Sequence, residues 1–337
     1  MSPRYRRAPT DRLIGLFEPD QFLGRLREPL EMQVGGRTIS IDVQFRERDE
    51  VMLYCGQTRV LCLRPKGEGF VAHAHDTYSE QDCAVGMLRL WTSADTPSAF
   101  ATALQSYLAN LRVGQRWVGK EGGVQVRWLG NDAASTGALP WVPIDREVVL
   151  GHGPKVEGHL LKTASMEPAL EAVRSLASEE GWKAPEPLRA GNEIDQLALS
   201  HDGGRLILVE LKHKSDGSGS AYAPLQVMRY VTEWAAALEG PNADEIVNQV
   251  NALARAKHDA GLLDEPPALV EHPEIQPIVA FNEPPTDKVQ GRMAKVLRTL
   301  QENVPGPAID KLQIWSWPDG RPPERLDVSW GEHGAST

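Results

Sequence analysis

The sequence predicts an α/β domain at the C-terminal end, with a central mixed sheet flanked by helices, preceded by a β-rich α+β domain. Three observations carry this. The length of 337 residues is about twice that of an ordinary domain. The chain is 41% hydrophobic and 24% charged, the balance of globular material that buries a core. Period-two alternation dominates the first third, whereas helical periodicity alternates with short apolar runs further on.

Residues 1–30 read as a basic arm running into a short helical stretch. Residues 31–140 form the β-rich domain. Val34-Gly35-Gly36-Arg37 is a turn, and Thr38 to Arg46 alternates loosely. Val51 to Cys55 and Arg59 to Leu63 flank the turn Gly56-Gln57-Thr58, and Gly69 to His75 makes another strand. Thr96 or Ser98 caps a helix in which Phe100, Leu104, Leu108 and Leu111 recur at helical spacing. Two more strands are expected around Trp117 and over Val124 to Leu129. Residues 130–158 lack periodicity and contain Gly and Pro, so the boundary falls there, with 141–158 as the linker.

Residues 159–320 read as α, β, β, α, α, β, α, β, with a short strand near Leu188, and 321–337 as a tail. Ser165 is the expected cap of a helix reaching Glu180, and Gly181 ends it. Strands follow over Glu193 to Ser200 and Arg205 to Lys212. A helix starts near Pro224, a residue tolerated in the first turn, and stops at Gly240-Pro241. A second helix covers Ala243 to Gly261. The strand Gln276 to Phe281, a helix from Asp287 to Gln301 and the strand Lys311 to Trp317 complete the domain.

The chemistry concentrates in one hairpin. Ser200-His201-Asp202-Gly203-Gly204 joins two strands, and Asp-Gly is a strong hairpin signal. With Asp202-Gly203 at the turn, Asp195 lies directly opposite Glu210. Facing carboxylates destabilise a sheet unless something positive lies between them, and a divalent cation with oxygen ligands suits that position. With Gly203-Gly204 at the turn, Asp195 instead faces Lys212. Glu210 and Lys212 are two apart on one strand and share a face. A Lys beside two carboxylates can hold or deprotonate a water, or neutralise a phosphoryl transition state.

Ile194-Asp195 followed by Glu210-Leu211-Lys212 resembles the signature of the PD-(D/E)XK nuclease superfamily, the restriction-endonuclease-like fold. Gln226-Val227-Met228-Arg229-Tyr230 resembles the Gln-x-x-x-Tyr element of its RecB-like branch, with Gln226 and Tyr230 on one helix face. The resemblance covers about residues 160–320. It implies a metal-dependent nuclease acting on DNA, with restriction or phage defence as the context. Asp195 and Glu210 would ligate Mg²⁺ or Mn²⁺, helped by the Leu211 carbonyl. Lys212 would position the attacking water, Gln226 would orient phosphate or the Lys, and Tyr230 would contact the strand. The superfamily's helix carboxylate is Glu167 or Glu171, and Glu167 borders the packed face better. Ile194 replaces the nominal Pro, and no cysteine after Cys83 is present to hold an iron–sulfur cluster. An RNA-directed or repair nuclease, or an inactive nuclease fold that binds nucleic acid or acts as a scaffold, are the rival readings.

Charge and composition bound the partners. The net charge of −10 falls wholly on residues 151–337, while residues 1–150 are neutral, with 16 Arg and only 2 Lys among 18 cations. Arg offers a planar, permanently charged fork suited to phosphate, and the arm residues Arg4, Arg6, Arg7 and Arg12 could track a backbone. The expected partner that the nuclease resemblance implies is nucleic acid, with DNA first, beside a second copy of the chain or a defence-system component. No apolar run reaches the roughly 18 residues that span a bilayer, no secretory leader is legible, and three scattered cysteines suit a reducing cytoplasm. His73 and His75 make a weak metal pattern. Cys55 and Cys62 could lie close across their turn. Trp315, Trp317 and Trp330 could stack on bases. The Ser/Gly loop 215–220 could cover the substrate channel or be a plain connector.

Overall fold

The computed structural model describes residues 4–46, 49–129, 139–150, 166–185, 193–214, 219–303, 309–319 and 321–326. The expected linker end at 151–158, the Ser165 cap, the strand near Leu188, most of the 215–220 loop, Trp330 and most of the tail lie outside them. The chain divides into two compact units, one of residues 6–137 and 248–266, the other of 1–5, 138–247 and 267–337. Each holds one six-stranded sheet.

In the first unit the sheet is an antiparallel meander of consecutive strands. These are β1 (Glu31–Val34), β2 (Arg37–Arg46), β3 (Glu50–Cys55), β4 (Thr58–Lys66), β5 (Gly69–His73) and β6 (Leu90–Trp91). Val34 pairs with Arg37, so Gly35 and Gly36, both at positive φ, form the two-residue turn that only glycine takes without strain. The helices are α1 (Asp11–Gly15), α2 (Asp76–Ser79), α3 (Pro97–Asn110) and α4 (Lys120–Trp128). The Thr96 hydroxyl accepts from the Ala99 amide at 3.2 Å and caps α3. Phe100 of α3 meets Phe70 and Trp91 edge-on at 5.1 and 5.2 Å, and the Tyr107 hydroxyl donates to the Val60 carbonyl at 2.7 Å.

The expected strands at Trp117 and 124–129 are not strands. Gln115–Trp117 is a 3₁₀ turn, and Lys120–Trp128 is helix α4. Val124-Gln125-Val126-Arg127-Trp128 alternates like a strand, yet it buries Val124, Gln125, Trp128 and Leu129 together, which is helical spacing.

The second unit has sheet order β12-β11-β10-β9-β8-β7. Its strands are β7 (Val142–Val148), β8 (Ile194–Leu199), β9 (Arg205–Lys212), β10 (Glu274–Phe281), β11 (Gln313–Ser316) and β12 (Glu324–Arg325). β9, β10 and β11 run parallel, and the remaining neighbours pair antiparallel, so the sheet is mixed. Helix α5 (Glu167–Glu179) precedes β8, α6 (Ala223–Leu238) and α7 (Ala243–Asp259) link β9 to β10, and α8 (Asp287–Asn303) links β10 to β11. The order of elements from α5 to β11 is the one the sequence predicts. α6 packs across β9 and β10, and α8 packs on α5 and α6.

Further assignments differ from the sequence reading, the short strand β12 within the expected tail among them. Residues 142–148, read as linker, form the edge strand β7, whose pairing with β8 depends on long-range partners rather than on local periodicity. Residues 248–266 cluster with the N-terminal sheet; within that unit Lys257 donates to Gln44 at 2.8 Å. Tyr5, placed in a basic arm, is 2% exposed, donates to the Asp145 carboxylate at 2.9 Å and packs its ring 5.8 Å from that of Trp234. No helix among the described residues is long and apolar enough to cross a membrane.

Candidate active site

The β8–β9 hairpin sets the site. Gln196 pairs with Val209 and Leu199 with Leu206, the register that carries Asp195 to the position opposite Glu210. The alternative in which Asp195 faces Lys212 is thereby excluded. The turn is longer than a two-residue Asp-Gly hairpin. The Ser200 amide donates to the Arg205 carbonyl at 3.1 Å, and the Gly203 amide donates to the Ser200 carbonyl at 2.9 Å. The Asp202 carboxylate ties the loop by accepting from the Ser200 hydroxyl and the Gly204 amide.

At the open end of the hairpin the Asp195 carboxylate accepts from the Leu211 amide at 2.8 Å. It thus holds β9 beyond the last ladder pair while remaining partly exposed. Glu210 and Lys212 lie on one face of β9. Lys212 Nζ is 2.6 Å from Glu210 Oε1, and the two side chains are only 9% and 5% exposed. A buried ion pair of this kind costs about several kcal/mol per ion in desolvation, offset only by close geometry and further bonds.

Helix α6 closes the site from one side. It is buried on most of its circumference, with Leu225, Val227, Met228, Tyr230, Val231 and Trp234 inside. Arg229 is also buried, paired at 3.4 Å with Glu233 one turn on. The Tyr230 hydroxyl donates to the Glu193 carbonyl at 2.8 Å, just before β8. Burial, and then the negative charge of Glu210 and Asp195, push the Tyr230 phenol far above its usual value. One turn earlier, Gln226 Oε1 is buried and has no hydrogen-bond partner among the described residues. A buried acceptor left open in this way costs about 1–3 kcal/mol.

The shift of Tyr230 has a measurable consequence. An unfolded tyrosine ionises near pH ~10, whereas Tyr230 stays neutral in the folded chain. The stability this phenol contributes is present below that pH and lost as pH rises above it. The stability gap between wild type and Tyr230→Phe should therefore narrow above about pH 10 in urea titrations. A gap that is constant with pH would mean that the phenol is not held in its neutral form.

The two helix carboxylates both face Arg174. Glu167 is 54% exposed with Arg174 at 4.0 Å, and Glu171 is 68% exposed with Arg174 at 3.5 Å. Among the described residues, no three His, Cys, Asp or Glu side chains come together as a metal-binding group. The structure thus brings together Asp195, Glu210, Lys212 and Tyr230, whereas Glu167 and Glu171 share an arginine on α5.

Sequence reasoning missed Asn282 and Glu283, just past β10. Asn282 Oδ1 accepts from the Lys214 amide at 3.0 Å, and Glu283 pairs with the Lys214 ammonium. β10 runs parallel to β9 with Phe281 beside Lys212, so these residues sit at the same strand ends as the site. Such a crossover has no turn signal from which its register could be read.

The weaker motifs resolve structurally. His75 caps α2, its ring nitrogen accepting from the Thr77 amide at 3.3 Å, whereas His73 ends β5. Cys55 is buried and its thiol is pushed up to about 12 by burial. Cys62, opposite Met52, points to the other face of the sheet. Trp317 is 8% exposed, and Trp315 is partly buried with its ring 5.7 Å from that of Trp141.

No family model matches the chain, and the comparisons with curated proteins and with solved structures found no match.

Proposed function

We propose that the chain is a metal-dependent nuclease that hydrolyses phosphodiester bonds, in DNA first, on a restriction-endonuclease-like scaffold. One observation carries this reading. Asp195 lies across the hairpin from Glu210, and Lys212 is 2.6 Å from Glu210 at the same strand ends. A buried Lys and Glu beside a partly exposed Asp are costly for a purely structural hairpin.

The donor chemistry fits a hard divalent cation. Asp195 and Glu210 offer carboxylate oxygens, Leu211 a main-chain carbonyl, and Gln226 Oε1 is a buried oxygen without a donor among the described residues. Mg²⁺ commonly takes one or two carboxylates and keeps several waters, so two carboxylates suffice. Asp195, Glu210 and Leu211 would hold Mg²⁺ or Mn²⁺. When bound, the ion would offset the charge that gathers on the phosphate during displacement.

The chain's own residues do the rest. Lys212 holds the attacking water and stabilises the developing negative charge. The Gln226 carbonyl oxygen accepts hydrogen bonds, so it orients the Lys212 ammonium or the water, while its amide nitrogen is the atom able to face phosphate. Tyr230, bonded to the Glu193 carbonyl, positions the start of β8 and with it Asp195. Glu167, which the resemblance would add as a further carboxylate ligand, lies 4.0 Å from Arg174.

The test is cleavage of single- and double-stranded DNA and RNA with Mg²⁺ or with chelator, comparing wild type with Asp195→Ala. The expected result is hydrolysis by wild type with Mg²⁺ alone and its loss in the folded variant. Equal cleavage by both would sink the assignment. Metal-independent binding without cleavage would favour an inactive, nucleic-acid-binding nuclease fold.

A further inference from the structure

The two faces of the N-terminal sheet differ in kind. One carries Ile41, Val43, Phe45, Val51, Leu53 and Leu63, all buried. The register places Arg46 opposite Glu50 and Tyr54 opposite Arg59 on the other face. Alternation along β4 adds Arg64 and Lys66 to that second face. Four cations thus share one face; Arg46 of β2 is buried there beside Asp42 and Gln44, whereas Arg59, Arg64 and Lys66 of β4 are accessible.

Their neighbours differ in kind, and Arg46 is held within the fold. Arg64 pairs with Glu50 at 2.7 Å and is 50% exposed. The Arg46 guanidinium lies 5.5 Å from the centre of the Tyr54 ring and also donates to the Phe45 carbonyl at 3.0 Å. Arg59, partly exposed, has five N–H donors, and its partner among the described residues is the Met52 thioether at 3.9 Å. A thioether is a weak acceptor, so this fork is available to a better one. Lys66 is exposed at the end of β4.

We propose that this face binds the phosphodiester backbone of nucleic acid, with Arg59, Arg64 and Lys66 as phosphate contacts. The inference rests on the nucleic-acid substrate of the proposed hydrolysis and assigns its holding surface to the sheet rather than to the arm. Charge complementarity favours it, because three accessible cations lie along the single strand β4, with Arg64 and Lys66 two residues apart on one face and Glu50 as the acidic partner of Arg64. Arginine forks match phosphate oxygens two at a time.

The experiment uses the full chain carrying Asp195→Ala, so that binding is read without cleavage. Anisotropy of a labelled mixed-sequence DNA, single- and double-stranded, is followed from about 50 to about 200 mM salt. Arg59→Gln with Lys66→Gln should weaken binding and lower the salt slope by about 1.8, or about 0.9 for each lost phosphate contact. Arg59→Lys with Lys66→Arg should keep the slope. Arg298→Gln, an exposed cation of the other unit, should change neither quantity. An unchanged slope in the folded Gln variant, no binding at low salt, or preferential capture of polyglutamate would overturn the proposal. Salt-dependent binding that needs Arg59 and Lys66, in a protein whose wild type does not cleave, would leave this inference standing and remove the nuclease reading. Cleavage with binding indifferent to these substitutions would do the reverse.

Discussion

Lys212→Met is expected to destabilise the fold by about 3–5 kcal/mol and to abolish hydrolysis. Lys212 and Glu210 are 2.6 Å apart and nearly excluded from water, so removing the ammonium leaves a carboxylate buried without its closest counter-charge. Screening by solvent offers little relief at 9% and 5% exposure. The double variant Glu210→Gln with Lys212→Met should recover most of that loss, because a neutral amide beside an apolar chain carries no uncompensated charge. It should not recover cleavage, since both the carboxylate and the ammonium are gone. Urea unfolding of the four proteins gives the coupling energy directly. A Lys212→Met variant as stable as wild type would show that Glu210 does not depend on Lys212.

This dependence shows which parts of the site the sequence could reveal. Asp195, Glu210 and Lys212 were legible because a hairpin is local. Its turn residues and its alternation together define the register, even though the turn proved to be a four-residue loop rather than Asp202-Gly203 alone. The same locality made the order from α5 to β11 readable, since each helix carries its own apolar stripe and stop signal. Asn282 and Glu283 were not legible, because their approach to Lys214 follows from a parallel pairing across two helices. Nor was β7, which becomes a strand only by lying beside β8.

Charge shows the same division. The excess of Arg over Lys in residues 1–150 is a property of sequence, but where those residues act is a property of register. The arm looked like the basic element, yet its Tyr5 is buried against Asp145 and Trp234. Arg59, Arg64 and Lys66, scattered along one strand, become a surface only when β4 alternates beside β3 and β5. Glu167, read as a site position on a helix border, lies 4.0 Å from Arg174.

Gly203→Ala is expected to cost about 2–4 kcal/mol, combining a left-handed backbone with overpacking. Gly203 has φ +70°, and an added Cβ would lie 2.0 Å from the Ala268 carbonyl oxygen. The loop cannot simply move away. The Gly203 carbonyl accepts from the Val270 amide at 3.1 Å and the Gly204 carbonyl from the Glu274 amide at 3.0 Å, so the hairpin turn is fastened to the segment entering β10. Gly36→Ala provides the contrast. Its φ is +79°, but nothing lies within 4 Å of the added carbon, so the backbone term of about 1–2 kcal/mol should act alone. Urea midpoints that are equally lowered in both variants would show that the contact with Ala268 does not constrain the turn. If it does, Gly203→Ala should also lower hydrolysis more than its loss of stability explains. This turn sets the register that puts Asp195 across from Glu210, and a slip of one residue would send Asp195 to the other face.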